Sequence, residues 1–590
     1  MRVLQTLTLL VSLTAAQLQQ PLVSGASKAE RRPNILFVLT DDQDLHMNSL
    51  DYMPFTRKRL VEKGTLFKRH YCTIALCCPS RVSLWTGKAA HNTNVTDVSP
   101  PYGGYPKFVE RGYNDDWLPL WIQSEGYNTY YVGKLFNAHT TSNYDKPHVS
   151  GFNGSDFLLD PYTYQYLNSS FQRNHDPPKY YPGEYSTDIL AQKANGFLDD
   201  AVEADKPFFL VVAPNAPHSN VYVDNSLSVD DKSIRFGAPV AAERHKHLFK
   251  NLKVPRTANF NPNEPSGVNW VAELPIQSEE NIAYNDHFFR QRLRALQAVD
   301  ELVDGLFERL QKYDLLDNTY IFYSSDNGFT IGQHRRQPGK ESGFEEDINI
   351  PLLVRGPGVA EGKISSIPTT HTDLAPTFLS LIGASLDHEL DGTPIPIHND
   401  ELVSASEEKN WHEHVNVEYW GIAISEGRYG GNYPHFNNTY KALRVIGNGY
   451  NLYYSVWCND EHELYDLKSD PHEIDNLLAT SKHRQESGLA RKILGLPIAK
   501  VVSRLDSLLF VLKSCKGDVC RDPWKALHPQ GDVHTLREAL NGKYDSFYEE
   551  EQVRIKYNRC EQGYIIDAEG PQFELDGLVY REGNKWSDWV

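Results

Sequence analysis

The chain has 590 residues, enough to bury a large core and to divide into more than one domain. An apolar fraction of 40% and a charged fraction of 23% are those of an ordinary globular protein, which excludes the disordered and membrane-embedded classes. A formal net charge of −18 excludes a broad nucleic-acid-binding surface, which needs basic patches, but leaves room for a small cationic pocket inside an acidic shell.

At the N-terminus, Arg2, the apolar run over residues 4–13 and the small residues Thr14, Ala15 and Ala16 predict a secretory signal peptide spanning 1–16. No later apolar run approaches the roughly 20 residues needed to span a bilayer. Asn94, Asn153, Asn168 and Asn437 head N-x-S/T sequons, as expected of a secreted glycoprotein. The cysteine count of seven is odd, which leaves one without a disulfide partner; Cys515 and Cys520 close a short loop and are the first expected pair.

Residues 34–40 form a continuous apolar run, the pattern of a strand buried on both faces of a sheet. The run ends in Asp41, Asp42, Gln43 and Asp44. Adjacent carboxylates just past a central strand are costly unless a cation neutralises them, so a hard-metal site is the favoured reading and a solvated, helix-capping loop the other. In Cys77-Cys78-Pro79-Ser80-Arg81, the proline marks a helix start and sets Cys77 at the positive end of the helix dipole. Arg81 follows four residues later and projects from the same side, which suits an oxyanion; a buried structural cysteine, or a disulfide to Cys72, is the alternative.

Further elements follow in order. A short helix over 115–125 is capped by Gly126, and a strand over 127–132 leads to Gly133 and Lys134. Residues 140–185 read as a long surface excursion. A helix over 187–204 and a strand over 207–213 lead to Ala216, Pro217 and His218, and residues 219–280 form a second long loop region. Phe289, Leu293, Leu296, Val299, Val303, Leu306 and Leu310 recur at helical spacing, which predicts one long amphipathic helix over 281–313. A strand over 319–325 ends at Asp326, Asn327 and Gly328, followed by His334, Lys340 and an apolar run over 350–354. A helix over 373–382 should start with Asp373 as N-cap and end at Gly383. Past residue 390 the alternation of strand and helix gives way to short strands over 442–446, 450–456 and 463–467, with a helix over 498–512. The expected organisation is a catalytic domain over 33–390 and a smaller α+β domain on an antiparallel sheet over 391–590.

Asp41 and Asp42, Lys134, His218, and Asp326 with Asn327 each sit just beyond the end of a predicted strand, the edge where open α/β sheets bind ligands. Asp41, Asp42, Asp326 and Asn327 offer only oxygen donors, which suits Ca²⁺ or Mg²⁺ rather than zinc. Arg81, Lys134, His218, His334 and Lys340 would supply positive charge and donors around a substrate oxyanion.

The pattern C-x-P-S-R-x-x-x-x-T-G-K from Cys77 to Lys88 resembles the signature of the type I sulfatases. The strand ending in Asp41-Asp42, the segments Gly133-Lys134, Ala216-Pro217-His218 and Ser324-Ser325-Asp326-Asn327-Gly328, and Lys340 ahead of the I-x-I-P-L-L-V-R-G-P-G stretch are similar to further features of that family. The resemblance runs over about 33–480 and, within the family, lies nearest to fungal arylsulfatases, with glucosamine-6-sulfatases next. It implies an alkaline-phosphatase-like fold: a large mixed, mostly parallel sheet sandwiched by helices. It implies hydrolysis of small aryl sulfates, or alternatively of the sulfated amino sugars of glycosaminoglycans, after a formylglycine-generating enzyme has oxidised Cys77 to formylglycine (3-oxoalanine), with a cation held by Asp41, Asp42, position 77, Asp326 and Asn327. His218, ahead of His334, would protonate the leaving group. Many family members carry G-K-x-H; here Phe136 occupies the histidine position, and Asn137 is the candidate replacement. A phosphatase or phosphonate hydrolase on the same fold, and a non-catalytic binding protein, are the remaining alternatives.

Overall fold

The computed structural model describes residues 32–223, 234–386, 388–407, 411–429, 434–479 and 492–573. The expected signal peptide lies outside the described residues.

The central element is a ten-stranded sheet. Its strands, in chain order, are β1 (Asn34–Thr40), β2 (Thr65–Phe67), β3 (Asn128–Lys134), β4 (Gly154–Leu158), β5 (Asn168–Arg173), β6 (Lys179–Pro182), β7 (Phe208–Ala213), β8 (Thr319–Ser325), β9 (Leu352–Arg355) and β10 (Lys363–Ser365). Their spatial order is β10-β2-β9-β8-β1-β7-β3-β4-β5-β6. The five strands β8, β1, β7, β3 and β4 are parallel, while β9 and β5 pair antiparallel on either side of them. Every residue of β1, β7 and β8 is buried, as their unbroken apolar runs require.

Alternate side chains of β1 enter two different cores. Ile35, Phe37 and Leu39 pack with Val82 and Trp85 of helix α1 (Cys77–Thr86) and with Phe378, whereas Leu36 and Val38 face Leu190 and Phe197 of α2 (Ser186–Glu203) and Leu296 and Val299 of α3 (Glu279–Lys312). Ser278 caps α3 by accepting from the Asn281 N–H at 3.2 Å. Helix α4 (Leu374–Leu381) lies on the α1 side of the sheet.

Three expectations are corrected. Residues 140–185 are not a surface excursion: they supply β4, β5 and β6, which extend the sheet. Buried Ser169, Ser170 and Gln172 give β5 no apolar pattern to read. Asp373 stands at the N-cap position of α4, as expected, but its side chain makes no capping bond to that helix. Its carboxylate accepts from the Thr370 N–H at 2.7 Å and the Thr393 N–H at 2.8 Å, closing a capping box on the preceding turn. The run over 350–354 is split at Pro351, so Asn349–Ile350 pairs with His70–Tyr71 while β9 joins the main sheet.

The C-terminal region is built on β11 (His414–Tyr419), β12 (Tyr440–Gly447), β13 (Tyr450–Trp457) and β14 (His462–Asp466), antiparallel in that order. One face carries Leu443, Val445, Leu452 and Tyr454 onto Val501, Leu505 and Leu508 of α5 (Ile498–Leu512). On the opposite face, Val415, Val417, Ala442 and Tyr453 pack against Ile74, Ala75, Phe344 and Ile348, so the small sheet braces the segments on either side of the candidate site. Disulfides join Cys515 to Cys520, as expected, and Cys458 to Cys560; Cys72, Cys77 and Cys78 are free and buried, with no bridge from Cys72 to Cys77. Among the described residues no helix is long and apolar enough to cross a membrane.

Candidate active site

The C-terminal ends of β1, β3, β7 and β8 converge on the start of α1. The Asp41 N–H donates to the Ala216 carbonyl at 3.3 Å and the Asp326 N–H to the Thr40 carbonyl at 3.1 Å, which locks the three strand exits together. Gly133 has φ +111° and an added Cβ would lie 2.0 Å from the Ala213 carbonyl oxygen, so only glycine lets β3 approach β7 just before Lys134. Asp42 sits in the left-handed region at φ 67°, a conformation that aspartate tolerates better than most residues.

Cys77 is the first residue of α1 and is fully buried. Its Sγ lies 3.6 Å from Asp41 Oδ1, 3.8 Å from Asp42 Oδ1 and 3.2 Å from Lys340 Nζ. Arg81, one turn on, donates from Nε to Asp326 Oδ2 at 2.8 Å and from Nη1 to the Lys134 carbonyl at 2.6 Å. Lys134 Nζ grips both Asp41 oxygens at 2.8 and 2.9 Å, and Lys340 Nζ donates to Asp42 Oδ1. His218 Nε2 lies 3.6 Å from Asp42 Oδ2, while Nδ1 meets the Ser219 carbonyl at 2.8 Å. Three carboxylates thus face three permanent cations and one histidine in a water-poor interior.

This charge pattern sets the protonation states. Burial alone would raise Asp326, but Arg81, Lys134 and Lys340 outweigh it and hold the carboxyl far below the usual range. Asp42 is likewise lowered, as Lys340 and His218 overcome its burial. Burial pushes the Cys77 thiol well up despite the two lysines, so an unaltered thiol here is a poor nucleophile.

The donor set fits a hard divalent cation. Asp42 Oδ2 and Asn327 Oδ1 are buried without a hydrogen-bond partner, an arrangement that costs free energy unless something positive sits against them. Asp41, Asp42, Cys77 and His218 present ligand atoms within 4.8 Å of one another. Asp326 Oδ1 accepts from the Asp42 and Asn327 N–H groups, both at 2.9 Å, which orients those two residues toward the same point.

His334 is the exception among the expected residues. Its ring stacks on Phe344 at 3.8 Å and bonds Ser266 and Asn259, so the structure does not bring it to Cys77. Its local sequence gave no sign of this, because the loop from Gly328 to Lys340 turns it into a different buried cluster. Phe136 packs among Phe108 and Trp117, and Asn137 donates to the Tyr164 hydroxyl at 2.7 Å.

The sulfatase family model matches residues 33–384, more than half of the chain, and the model for the C-terminal part of N-sulphoglucosamine sulphohydrolase matches residues 339–495. The chain belongs to the sulfatase family. It is a sulfuric ester hydrolase. An arylsulfatase of Volvox carteri is 38% identical over 543 residues, covering 89% of this chain and 81% of that protein. An N-acetylglucosamine-6-sulfatase of Capra hircus is 31% identical over 534 residues, covering 85% and 87%. A structure solved in complex with its substrate D-glucosamine-2-N,6-O-disulfate shares the fold at a TM-score of 0.58 and 23% identity, over 77% of this chain and 95% of that one.

Two residues of this sulfatase's site escaped the sequence reading. Tyr164 stacks on the His218 ring at 3.9 Å and lies 4.8 Å from Lys134 Nζ; it was hidden in the segment read as a surface excursion. Arg292 lies on the buried face of α3, donates to the Asp42 and Pro217 carbonyls, and so ties the exits of β1 and β7. Its spacing, three residues after Phe289 and four before Leu296 on the apolar stripe, was the available signal.

Proposed function

We propose that the chain is an arylsulfatase that hydrolyses sulfate monoesters to a phenol and sulfate, with position 77 acting as formylglycine and with Ca²⁺, ahead of Mg²⁺, held by Asp41, Asp42, Asp326 and Asn327. The observation that carries this reading is the placement of Cys77: its Sγ, standing where a reacting oxygen would be, is wedged between Lys340 Nζ at 3.2 Å and the Asp41 and Asp42 carboxylates. The oxidised side chain, once hydrated, supplies paired hydroxyls, one for attack on sulfur and one whose collapse releases sulfate. The cation supplies Lewis-acid polarisation of the substrate.

The chain's own residues do the rest. Lys340 bears on the reacting atom and stabilises negative charge there. Lys134 and Arg81 fix Asp41 and Asp326 and hold positive charge beside the bound oxyanion. The Nδ1–H of His218 donates to the Ser219 carbonyl, which turns Nε2 into the site; carrying a second proton there, the ring gives it to the departing phenolate and is left neutral with Nδ1 still protonated. Tyr164 covers one face of that ring and keeps water from it.

On this reading the chain enters the secretory pathway, meets a formylglycine-generating enzyme there, and carries exposed sequon residues at Asn153 and Asn437. Residues 33–390 are the catalytic domain and 391–590 the bracing one. A second reading, a 6-sulfatase of N-acetylglucosamine, is favoured by the relative of that name aligned over 85% of this chain. Purified protein should release phenol from an aryl sulfate, stop when a chelator is added and resume with Ca²⁺, and turn over the matched aryl phosphate far more slowly. Turnover of 6-sulfated N-acetylglucosamine alone would install the second reading; no turnover of either ester would overturn both.

A further inference from the structure

His334, Glu346 and Glu473 make a second cluster, separate from the residues around Cys77. His334 lies on the loop after β8, Glu346 on the short helix Glu345–Ile348, and Glu473 on the segment after β14. Ligand atoms of the three lie within 4.8 Å of one another, and the residues are 1%, 5% and 1% exposed. Half of each carboxylate is satisfied: Glu346 Oε1 accepts from Asn259 Nδ2 at 2.8 Å, and Glu473 Oε2 from the Glu345 N–H at 2.9 Å. The other half is not. Glu346 Oε2 and Glu473 Oε1 are buried with no hydrogen-bond partner.

Charge is out of balance as well. Arg444 pairs with neighbouring Glu345 at 2.7 Å, whereas the nearest ion-pair partner of Glu346 among the described residues is His334, at 3.9 Å. Buried carboxylates without paired cations are strongly disfavoured unless they bind a metal or a proton. His334 Nε2 accepts a long bond from Asn259 Nδ2 at 3.2 Å, which a metal ion would displace; one imidazole with two carboxylates then suits a borderline divalent ion such as Zn²⁺ or Mn²⁺ better than Ca²⁺, which takes oxygen donors alone.

We propose that His334, Glu346 and Glu473 bind a divalent transition-metal ion, distinct from the cation at Asp41, Asp42, Asp326 and Asn327. Its role is to hold three segments of the chain in register. The Phe329 N–H donates to the Glu346 carbonyl at 2.9 Å, and an added Cβ on Gly328 would lie 2.1 Å from that same oxygen. The cluster therefore abuts the turn that presents Asp326 and Asn327, and it anchors the start of the loop that ends at Lys340.

Wild-type protein, Glu473→Gln and Glu346→Gln are each saturated with Ca²⁺, exposed to Zn²⁺ or Mn²⁺ alone, desalted and analysed for metal by mass spectrometry. Wild type should retain one more transition-metal ion per chain than either variant, and the added metal should raise the thermal midpoint of wild type only. Equal transition-metal content in wild type and a folded variant overturns the proposal. Should neither variant fold, Co²⁺ is titrated into Ca²⁺-saturated wild type. Visible ligand-field bands from an imidazole-carboxylate site support the assignment, and their absence, as expected if the carboxyls simply carry a proton, overturns it.

Discussion

Arg81→Lys separates geometry from charge at the centre of the site. Arg81 is fully buried and bridges two acceptors on different elements, Asp326 Oδ2 at 2.8 Å and the Lys134 carbonyl at 2.6 Å. The guanidinium fork serves both at once; a lysine ammonium in the same space keeps the charge but reaches one. The variant loses one charge-assisted hydrogen bond, worth about 1.5–3 kcal/mol, while the Lys134 carbonyl keeps the bond it accepts from the Tyr131 hydroxyl at 2.5 Å. Arg81→Met also removes the charge and leaves Asp326 with Lys134 at 3.7 Å as its nearest cation, a loss of about 3–5 kcal/mol. Urea unfolding followed by tryptophan fluorescence should show the midpoint falling from wild type to lysine to methionine, with unchanged slopes. A lysine variant that unfolds at the wild-type midpoint would refute the bridging role.

Three further outcomes are expected. Tyr164→Phe should lower kcat/KM about fivefold, because it loses only the hydroxyl bond to Asn137, worth about 1 kcal/mol, while Tyr164→Ala, which also frees the His218 ring, should cost tenfold or more in steady-state turnover of an aryl sulfate. Lys340→Met should reduce kcat by about 10²–10³ with little change in KM, read from steady-state turnover of an aryl sulfate. Glu413, buried beside Tyr450 and Trp524, has its pKa pushed by desolvation from 4.5 up to about 7. Between those values the folded chain keeps a proton that the unfolded chain has released, so stability falls as pH rises through that window, by about 3 kcal/mol in all. Glu413→Gln should flatten that part of the thermal midpoint against pH; an unchanged slope would contradict the buried-proton assignment.

The parallel core of the fold was legible because its strands are apolar on both faces, and β1, β7 and β8 fall within a residue of where the runs place them. The cluster at this edge of the sheet was legible for a related reason, since Asp41 and Asp326 directly follow β1 and β8, His218 follows β7 after a short turn, and Lys134 ends β3. The edge strands were not. Serine and glutamine fill buried positions of β5, and a pattern built on apolar contrast passes over them. His334 and Tyr164 were misplaced or missed because a loop's path is fixed by tertiary packing rather than by periodicity. His334 leaves the site by a turn that only the fold reveals, and Tyr164 enters it from a polar, tyrosine-rich segment that reads as solvent-exposed. Asp373 shows the same limit on a smaller scale: the residue type signalled a cap, and the carboxylate caps the turn before the helix instead.

The central claim is that position 77 is no longer a thiol in the working protein. Mass spectrometry of the proteolytic peptide spanning Cys77, taken from fractions of differing specific activity, tests it directly. The expected result is an aldehyde-bearing peptide, lighter than the cysteine form, whose abundance rises in proportion to turnover. Full activity in material whose peptide carries only the unmodified thiol would contradict it.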